Sequence, residues 1–388
     1  MTDLLGFIPD ELRRLDGASL LRTVRALDSA QEPEVTLEGR RVILLASNNY
    51  LGLAADPRVV DAAAEAARRW GAGSGSARLI SGGVRLHDDL EARLAAFKRT
   101  EDALLFSSGY LANLGTISAL VGRGDAIFSD ALNHASIIDG ARLTGAAINV
   151  YRHTDAGHLA DLLRESPADR RLVLTDTVFS MDGDLAPLAE IVEVCEKHDA
   201  ILMVDEAHAT GVVGPGGRGA VVAAGLEGRV PVIMGTLSKA LGAAGGFIAG
   251  SSELISFLRN KARPFIFDTA PPAPVAAAAL AALDAIDAEP WRGERARGLA
   301  TRLSDGLRRK GFATPGPVAA IVPVHAGEAG AALAFSRALL EQRVLVPAVR
   351  PPSVAPGTAR LRATVMATHT DEQIDEAIAA FATTRIEV

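Results

Sequence analysis

Short apolar runs recur between residues 103 and 250 and are separated by polar, helical or loop segments. In chain order they are ALLF, AIFS, AAINV, RLVLT, AILMVD, PVIMGT and GFIAG. Runs of this length and spacing are typical of buried strands that alternate with helices. The pattern predicts an α/β fold with a seven-stranded, mostly parallel sheet and helices on both faces.

The segments on either side follow different patterns. From Asp10 to about Gln31, Leu and Arg at three- and four-residue spacing predict an amphipathic helix. After the alanine-rich stretch Val275–Ile286, the runs VAAIVPV, RVLV and TARLRAT predict a smaller α+β region. We therefore expect a helical arm (1–45), a large α/β domain (46–287) and a small carboxyl-terminal α+β domain (288–388).

Composition narrows the class of protein. The 388 residues carry a net charge of −7 with 48% hydrophobic residues, which fits an ordered chain and gives no basic face for nucleic acid. A single cysteine, Cys195, in the helical pattern Ile191–His198, allows no intramolecular disulfide. The longest apolar run, Ala273–Leu283, is too short to cross a bilayer, and the first residues do not resemble a secretory signal. The cytoplasm is the expected compartment.

Polar side chains follow most of the apolar runs, where α/β sheets bind their ligands. In order, these are Ser107-Ser108-Gly109-Tyr110, Asp130 with His134, Ser180, Asp205-Glu206-Ala207-His208 and Thr236-Leu237-Ser238-Lys239. A pyridoxal phosphate site needs such a set: a lysine for a Schiff base, a carboxylate for the pyridine nitrogen, a ring for its face, a donor to its phenolate oxygen, and phosphate ligands.

Lys239 follows PVIMGT and precedes Ala-Leu-Gly, which predicts a lysine on a tight turn at the edge of the sheet. Asp205 ends AILMVD, so it is expected to be buried, and a buried charge needs a partner such as a protonated pyridine. Taken alone, a lysine at this position would more often be a solvated surface residue. Asp205 is likewise compatible with the cap of a following helix.

The histidines and the serine-glycine turn complete the predicted site. His208 could donate to the phenolate oxygen and His134 could stack on the pyridine ring, although either alone could be an ordinary loop histidine. Ser108-Gly109-Tyr110 before a helix is suited to an anion, with hydroxyls from Thr236 and Ser238, although helix capping explains the serines equally well. Gly71–Gly82 lacks the GxGxxG spacing of a dinucleotide loop.

Beyond these residues, long ordered motifs extend over nearly the whole chain. They are SNNYLGL, GSGSARLISG, HDDLE, FSSGYLAN, SDALNHASIIDG, VFSMDGDLAPL, VDEAHATGVVGPGGRG, TLSKALG, RPFIFDTAPP and RPPSVAPGTARLR. With these motifs the chain resembles the α-oxoamine synthases, a branch of the aspartate-aminotransferase-like (fold type I) pyridoxal phosphate enzymes. The resemblance implies that an amino acid is joined to an acyl thioester with loss of CO2.

The resemblance also implies a role for individual residues. Matched by motif, the cofactor residues are Lys239 (Schiff base), His134 (ring stacking), Asp205 (pyridinium partner), His208 (phenolate partner), Gly109 and Tyr110 (phosphate turn), Ser180 and Thr236 (further contacts), and Thr269 (phosphate of the other subunit). The matched substrate residues are Arg22, which aligns with an arginine for the acyl substrate, Asn48 and Arg362 near the amino-acid carboxylate, Ser353, and His134. No metal is expected, and active sites shared between two chains imply a homodimer.

The chain departs from the usual wording of the family motifs at two places, and several alternative functions stay open. Asp268 replaces a more usual serine beside Thr269 and is expected to point away from the phosphate, while Ser76-Ala77-Arg78 replaces a more usual Gly-Ser-Arg. The segment Arg350–Arg362 is similar to the branch that uses L-alanine and a pimeloyl thioester. Branches that use glycine with acetyl-CoA, or serine with a long acyl group, stay open. So do simple amino-group transfer and a non-catalytic partner subunit.

Overall fold

The helices and strands alternate along most of the chain in the computed structural model, which describes residues 4–384. The α-helices are α1 Ile8–Gly17, α2 Pro57–Trp70, α3 Arg85–Lys98, α4 Gly109–Leu120, α5 Ala135–Thr144, α6 Ala156–Glu165, α7 Leu188–Lys197, α8 Ala220–Ala223, α9 Ser252–Lys261, α10 Arg263–Phe267, α11 Ala273–Ala288, α12 Trp291–Arg309, α13 Ala329–Glu341 and α14 Asp371–Thr383. The strands are β1 Glu34–Leu37, β2 Arg40–Leu44, β3 Asp102–Phe106, β4 Ala126–Asp130, β5 Ala147–Tyr151, β6 Arg171–Asp176, β7 Ile201–Asp205, β8 Val232–Thr236, β9 Gly246–Gly250, β10 Ile321–Gly327, β11 Val344–Leu345, β12 Ala348–Val349 and β13 Ala359–Thr364.

All seven predicted apolar runs form one sheet. Its order is β3-β9-β8-β7-β6-β4-β5, and β9 runs antiparallel to both of its neighbours while the other pairings are parallel. Every residue of β4, β8 and β9 is buried, because helices cover both faces of a parallel sheet. The predicted fold class is therefore confirmed.

The apolar side chains of this sheet pack on the helices that follow its strands. One cluster joins strand residues such as Leu104, Ile127 and Met203 to Ile117 of α4 and Leu258 of α9. The register brings the last residues of β6 and β7, Asp176 and Asp205, side by side. Two acidic side chains thus end neighbouring buried strands at the edge of the sheet where ligands bind.

The chain separates into two compact units. One contains Asn48–Ser180 and Asp184–Ala296, and the other contains residues up to Ser47, Met181–Gly183 and the chain from Arg297 onward. The second unit has two small sheets, with strand orders β1-β2-β11 and β10-β13-β12, together with helices. Its strands β10, β11 and β13 coincide with the predicted runs VAAIVPV, RVLV and TARLRAT, and β12 was not predicted.

The predicted helix from Asp10 to Gln31 is wrong beyond Gly17. Helix α1 spans Ile8–Gly17, and residues 18–31 form turns and extended chain. Ser19 adopts a left-handed backbone conformation with φ of 58°, which ends the helical path. Helices are stabilised mainly by burying an apolar face, but α1 buries none of its side chains and Val24 is 99% exposed. The periodic Leu and Arg spacing therefore lacked the packing that a longer helix needs.

Two further expectations concern Cys195 and membrane spans. Cys195 is a free, buried cysteine on α7, as its helical pattern predicted, and burial raises the pKa of its thiol to about 12. In the part of the chain that the structure describes, no helix combines the length and apolarity that a bilayer crossing requires.

Candidate active site

A pocket of about 240 Å³ lies at the carboxyl ends of β6, β7 and β8, and the first residues of α4 and α5 lie there too. Its lining residues are Ser108, Gly109, Tyr110, His134, Ser136, Asp176, Asp205, Ala207, His208, Met234, Thr236, Ser238 and Lys239. Nine of the residues that the sequence singled out meet here: Ser108, Gly109, Tyr110, His134, Asp205, His208, Thr236, Ser238 and Lys239. Residues from four separate motifs thus converge on one cavity.

Lys239 is held against a histidine. Its Nζ lies 2.9 Å from Nε2 of His208, and Nδ1 of the same ring lies 2.7 Å from the hydroxyl of the buried Tyr50. The Tyr50 hydroxyl in turn donates to Oδ1 of Asn48 at 3.0 Å. When Lys239 donates to Nε2, the imidazole proton belongs on Nδ1 and is donated to Tyr50. The opposite tautomer, with a proton on Nε2 for a phenolate oxygen, requires the Tyr50 hydroxyl to donate to Nδ1 instead.

Asp205 presents its carboxylate at the end of β7 and is only 4% exposed. One oxygen accepts from the side-chain amide of Asn113 at 2.8 Å, and the other accepts from the backbone amide of Ala207 at 2.8 Å. Both donors are neutral, and Asp205 forms no ion pair with any residue between 4 and 384. A buried carboxylate without a cation is costly, so the site is suited to a ligand that brings positive charge.

His134 caps the start of α5, and its ring is fixed by Ser136. The Ser136 hydroxyl lies 2.8 Å from Nδ1, and the Ser136 backbone amide points to the same nitrogen at 3.3 Å. Burial lowers the pKa of His134, and the nearby Asp205 only partly opposes this shift. His134 is consequently neutral at physiological pH.

A second carboxyl group, Asp176, also lines the pocket. It ends β6 beside Asp205, and its Oδ2 accepts from the backbone amide of His134 at 2.8 Å. Burial, followed by the charge of Asp205, raises the pKa of Asp176 well above its usual range. Asp176 therefore takes up a proton more readily than an exposed carboxyl group does. The sequence offered a signal for it, since RLVLTD ends in an acid just as AILMVD does.

The turn before α4 has the features of an anion site. The Ser108 side chain caps the helix by accepting from the amide of Leu111 at 3.1 Å, while the first amides of a helix lack partners within it. A side chain at position 109 would lie 3.0 Å from Met234 and 3.4 Å from Thr236, so glycine keeps this turn open. The hydroxyls of Thr236 and Ser238 donate to Gly245 O at 2.8 and 3.1 Å.

A buried ion pair holds the loop that carries Asp205 and His208. Lys98 Nζ contacts Glu206 Oε2 at 2.6 Å and also donates to Thr210 and to the carbonyl of Arg218. Both charged side chains are inaccessible to solvent, and the other Glu206 oxygen accepts from Val221 N. Because every polar atom of this pair is bonded, it fixes the backbone between Asp205 and His208. Sequence reasoning missed Lys98, which no local motif distinguishes from a surface lysine.

The remaining predicted residues of this unit lie outside the pocket lining. Asn48 contacts Tyr50, Ser180 is buried in the loop after β6, and Thr269 is exposed and pairs with Ala77. Asp268 accepts from the Ser107 hydroxyl and from the amide of Thr269, the latter at 2.9 Å. Hydrogen bonds from Ser107 and Thr269 therefore hold the Asp268 carboxylate next to the Ser108–Tyr110 turn.

Arg22, Ser353 and Arg362 belong to the other compact unit. Arg22 is exposed, and its guanidinium donates to the carbonyl of Pro351 at 3.0 Å. Ser353 is exposed two residues further on, so Arg22 and the Pro351–Ser353 turn adjoin. Arg362 is buried on β13.

The pocket fits pyridoxal phosphate in its donor set. The cofactor has an anionic phosphate, an aldehyde carbon that reacts with an amine, and a ring nitrogen that can carry a positive charge. The α4 turn suits the phosphate and Lys239 the aldehyde, while the uncompensated carboxylate of Asp205 suits the protonated nitrogen. Among the described residues, no group of His, Cys, Asp and Glu side chains could hold a metal ion.

Comparisons with known proteins agree with this geometry. A model of the family "Aminotransferase class I and II" matches residues 40–381. An 8-amino-7-oxononanoate synthase from Anaeromyxobacter dehalogenans is 52% identical over 378 residues, which is 97% of this chain and 95% of the relative.

Two solved structures extend the comparison. A serine palmitoyltransferase variant from S. paucimobilis with bound pyridoxal phosphate and myriocin superposes with a TM-score of 0.93 at 35% identity, covering 98% of each chain. An 8-amino-7-oxononanoate synthase from Francisella tularensis superposes with a TM-score of 0.75 at 26% identity, and the match covers 88% of this chain and 97% of that one. The fold is that of the fold type I pyridoxal phosphate transferases, and the chain belongs to the aminotransferase class I and II family.

Proposed function

We propose that this protein joins L-alanine to a pimeloyl thioester with loss of CO2, the reaction that gives 8-amino-7-oxononanoate in biotin biosynthesis. The observation that carries the proposal is the convergence of Lys239 with an uncompensated buried Asp205 in one pocket, in a chain 52% identical to a protein of that name.

Bound pyridoxal phosphate supplies an electron-accepting ring conjugated to the amino-acid nitrogen. Asp205 would hold the ring nitrogen protonated, which requires its carboxylate to be charged. Lys239 would anchor the cofactor through Nζ, and its amine, when free, would take the proton from Cα of the amino acid. The same ammonium group can return a proton to Cα after CO2 has left. The overall change gives one amino ketone, one CO2 and one free thiol per L-alanine and thioester.

His208 has two tasks that its position beside Lys239 supports. In the resting site its Nε2 accepts from Lys239, which keeps the lysine close to the reacting carbon. With Nε2 protonated, the same nitrogen would donate to the phenolate oxygen of the cofactor. The Tyr50 hydroxyl can serve both tautomers because it can accept from Nδ1 or donate to it.

For the substrates we propose Asn48, His134, Ser353 and Arg362 around the amino-acid carboxylate and the acyl carbonyl, and Arg22 for the acyl group. The guanidinium groups suit carboxylates because two of their N–H groups can donate in parallel. Arg22 is the candidate for the distal carboxylate of the pimeloyl chain, since it is exposed and, among the residues that the structure describes, is bonded only to backbone carbonyls of its own unit.

Arg22→Ala should raise KM for pimeloyl-CoA about ten- to a hundredfold, the loss of a charge-assisted contact of about 1.5–3 kcal/mol. The KM for L-alanine should change little. Steady-state rates with acetyl-, pimeloyl- and palmitoyl-CoA would test this, with Arg25→Ala as a control from the same exposed segment. An equal loss with acetyl-CoA would contradict recognition of the distal carboxylate. Preference for acetyl-CoA with glycine, or palmitoyl-CoA with serine, would reassign the substrate branch.

We propose that two copies form a homodimer. Large apolar side chains are exposed next to Thr269: Ile80 is 80% and Phe267 is 69% exposed. The pairing of Thr269 with Ala77 brings their two segments together. Exposed apolar side chains grouped in this way are typical of protein interfaces. The same surface carries Thr269, which would then reach the phosphate of the other copy.

Sedimentation of the wild type should give twice the chain mass of 40.4 kDa, and Ile80→Asp should shift the equilibrium towards the monomer. Val150→Asp, on the outer strand β5 and also exposed, is the matched control and should leave the mass unchanged. A wild-type monomer at micromolar concentration would contradict the dimer.

We further propose a cytoplasmic location, which suits the free Cys195 and a thioester substrate.

A further inference from the structure

A continuous set of hydrogen bonds links Asp205 to His134 through two residues without an assigned role. Asn113, on α4, donates one amide hydrogen to Asp205 Oδ2 at 2.8 Å and the other to the Ser136 hydroxyl at 2.8 Å. The Ser136 hydroxyl contacts Nδ1 of His134 at 2.8 Å. Asn113 and Ser136 are both fully buried, so water does not compete for these bonds.

The direction of each bond in this set is fixed by the charge of Asp205. Oδ1 of Asn113 is buried and has no partner among the residues that the structure describes. Rotating the amide would let the Ser136 hydroxyl donate to Oδ1, but it would place Oδ1 against the carboxylate oxygen of Asp205, where two acceptors repel, and the carboxylate would lose this donor. Asp205 therefore dictates that the NH2 group of Asn113 faces both acceptors.

The proton arrangement on His134 follows from this. Because the Ser136 oxygen already accepts from Asn113, its own hydrogen is free to donate to His134 Nδ1. The backbone amide of Ser136 is a second donor directed at Nδ1, at 3.3 Å. A proton on Nδ1 would oppose both donors, so the neutral ring carries its proton on Nε2. Nε2 has no hydrogen-bond partner in the described chain, and His134 lines the pocket.

We propose that Asn113 and Ser136 are positioning residues for His134. Asp205 fixes which way the Asn113 amide points, the amide fixes the direction of the Ser136 hydroxyl, and the hydroxyl keeps His134 in the tautomer with its proton on Nε2. In this tautomer Nε2 can donate to the substrate. The tautomer itself depends only on the protein, and the donation to substrate rests on the proposed function. A neutral His134 can lie against a positively charged pyridine ring without repulsion. Its Nε2–H can then bind a carboxylate or a developing carbonyl oxygen.

The test is the ¹⁵N spectrum of the histidine rings in the cofactor-loaded protein. Eight histidines contribute, and the signals of His134 are assigned by their absence in His134→Gln. In the wild type, Nδ1 should have the chemical shift of an unprotonated nitrogen and Nε2 that of a protonated one, unchanged between pH 7.5 and 9. Ser136→Ala and Asn113→Ala should each populate the other tautomer or the charged ring within this range. Ser118→Ala, on the same helix as Asn113 and bonded only to backbone carbonyls, should leave both shifts unchanged.

Turnover is measured in parallel with the same variants. It should fall about tenfold or more in Ser136→Ala and Asn113→Ala and be restored by Ser136→Thr, which keeps the hydroxyl. A protonated Nδ1 in the wild type, or wild-type ring shifts in both variants, would overturn the inference. Should Asn113→Ala fail to fold, Ser136→Ala alone decides. The expected spectrum without product formation would instead refute the proposed function and leave the tautomer assignment standing.

Discussion

Lys239→Ala should reduce turnover by roughly a thousandfold or more, because the nucleophile and the base for the Cα proton are lost together. The visible absorption band of the covalently bound cofactor should disappear, and the cofactor should be lost on gel filtration. Lys261→Ala, an exposed lysine at the end of α9, is the control and should keep both the band and the activity. The geometry behind this expectation is the 2.9 Å contact of Lys239 Nζ with His208 inside the pocket.

An alanine variant that kept turnover, or kept the band after exhaustive washing, would show that another amine binds the cofactor. The buried Lys98 is not a suitable replacement. Its Nζ is already bonded to Glu206, Thr210 and the carbonyl of Arg218, and its side chain has no access to solvent.

Asp205→Asn should slow the exchange of the alanine Cα proton for deuterium by roughly a thousandfold or more. A neutral side chain no longer keeps the pyridine nitrogen protonated, so the charge left on Cα is poorly stabilised. The new NH2 group would also face either Asn113 or the amide of Ala207, both of which are donors. Deuterium exchange measured without a thioester isolates this step from condensation.

Asp176→Asn is the matched control for this prediction. Asp176 lies beside Asp205 at the end of the neighbouring strand, and burial followed by the charge of Asp205 raises its pKa. An asparagine keeps an oxygen that can accept from the His134 amide, so the exchange rate should change by less than about tenfold. Equal losses in the two variants would contradict the assignment of the charge to Asp205.

The sheet and most of the pocket follow from local pattern. Each buried strand is a short apolar run, and in a parallel sheet the residues just after these runs meet at one edge. This is why Lys239, Asp205 and the histidines could be grouped before their contacts were known. The predicted amino-terminal helix was wrong beyond Gly17 because an apolar face stabilises a helix only where other residues pack against it.

What the sequence did not reveal is the polar layer beneath the pocket. Asn113 and Ser136 lie in FSSGYLAN and NHAS, which also fit ordinary capped helices. Tyr50 lies in SNNYLGL, far along the chain from His208. Their partners are set by tertiary packing of α4, α5 and β7, which no local periodicity encodes. The division into domains at residues 45 and 287, and the substrate roles of Ser353 and Arg362, stay predictions.

The most direct test of the proposed reaction is product analysis from pimeloyl-CoA and L-alanine labelled with ¹³C in the carboxyl group. The account predicts one labelled CO2 and one free CoA for each amino ketone, whose mass contains the acyl group and all of alanine except its carboxyl carbon. Formation of pyruvate without free CoA would indicate amino-group transfer. A product that retained the label would contradict decarboxylative condensation.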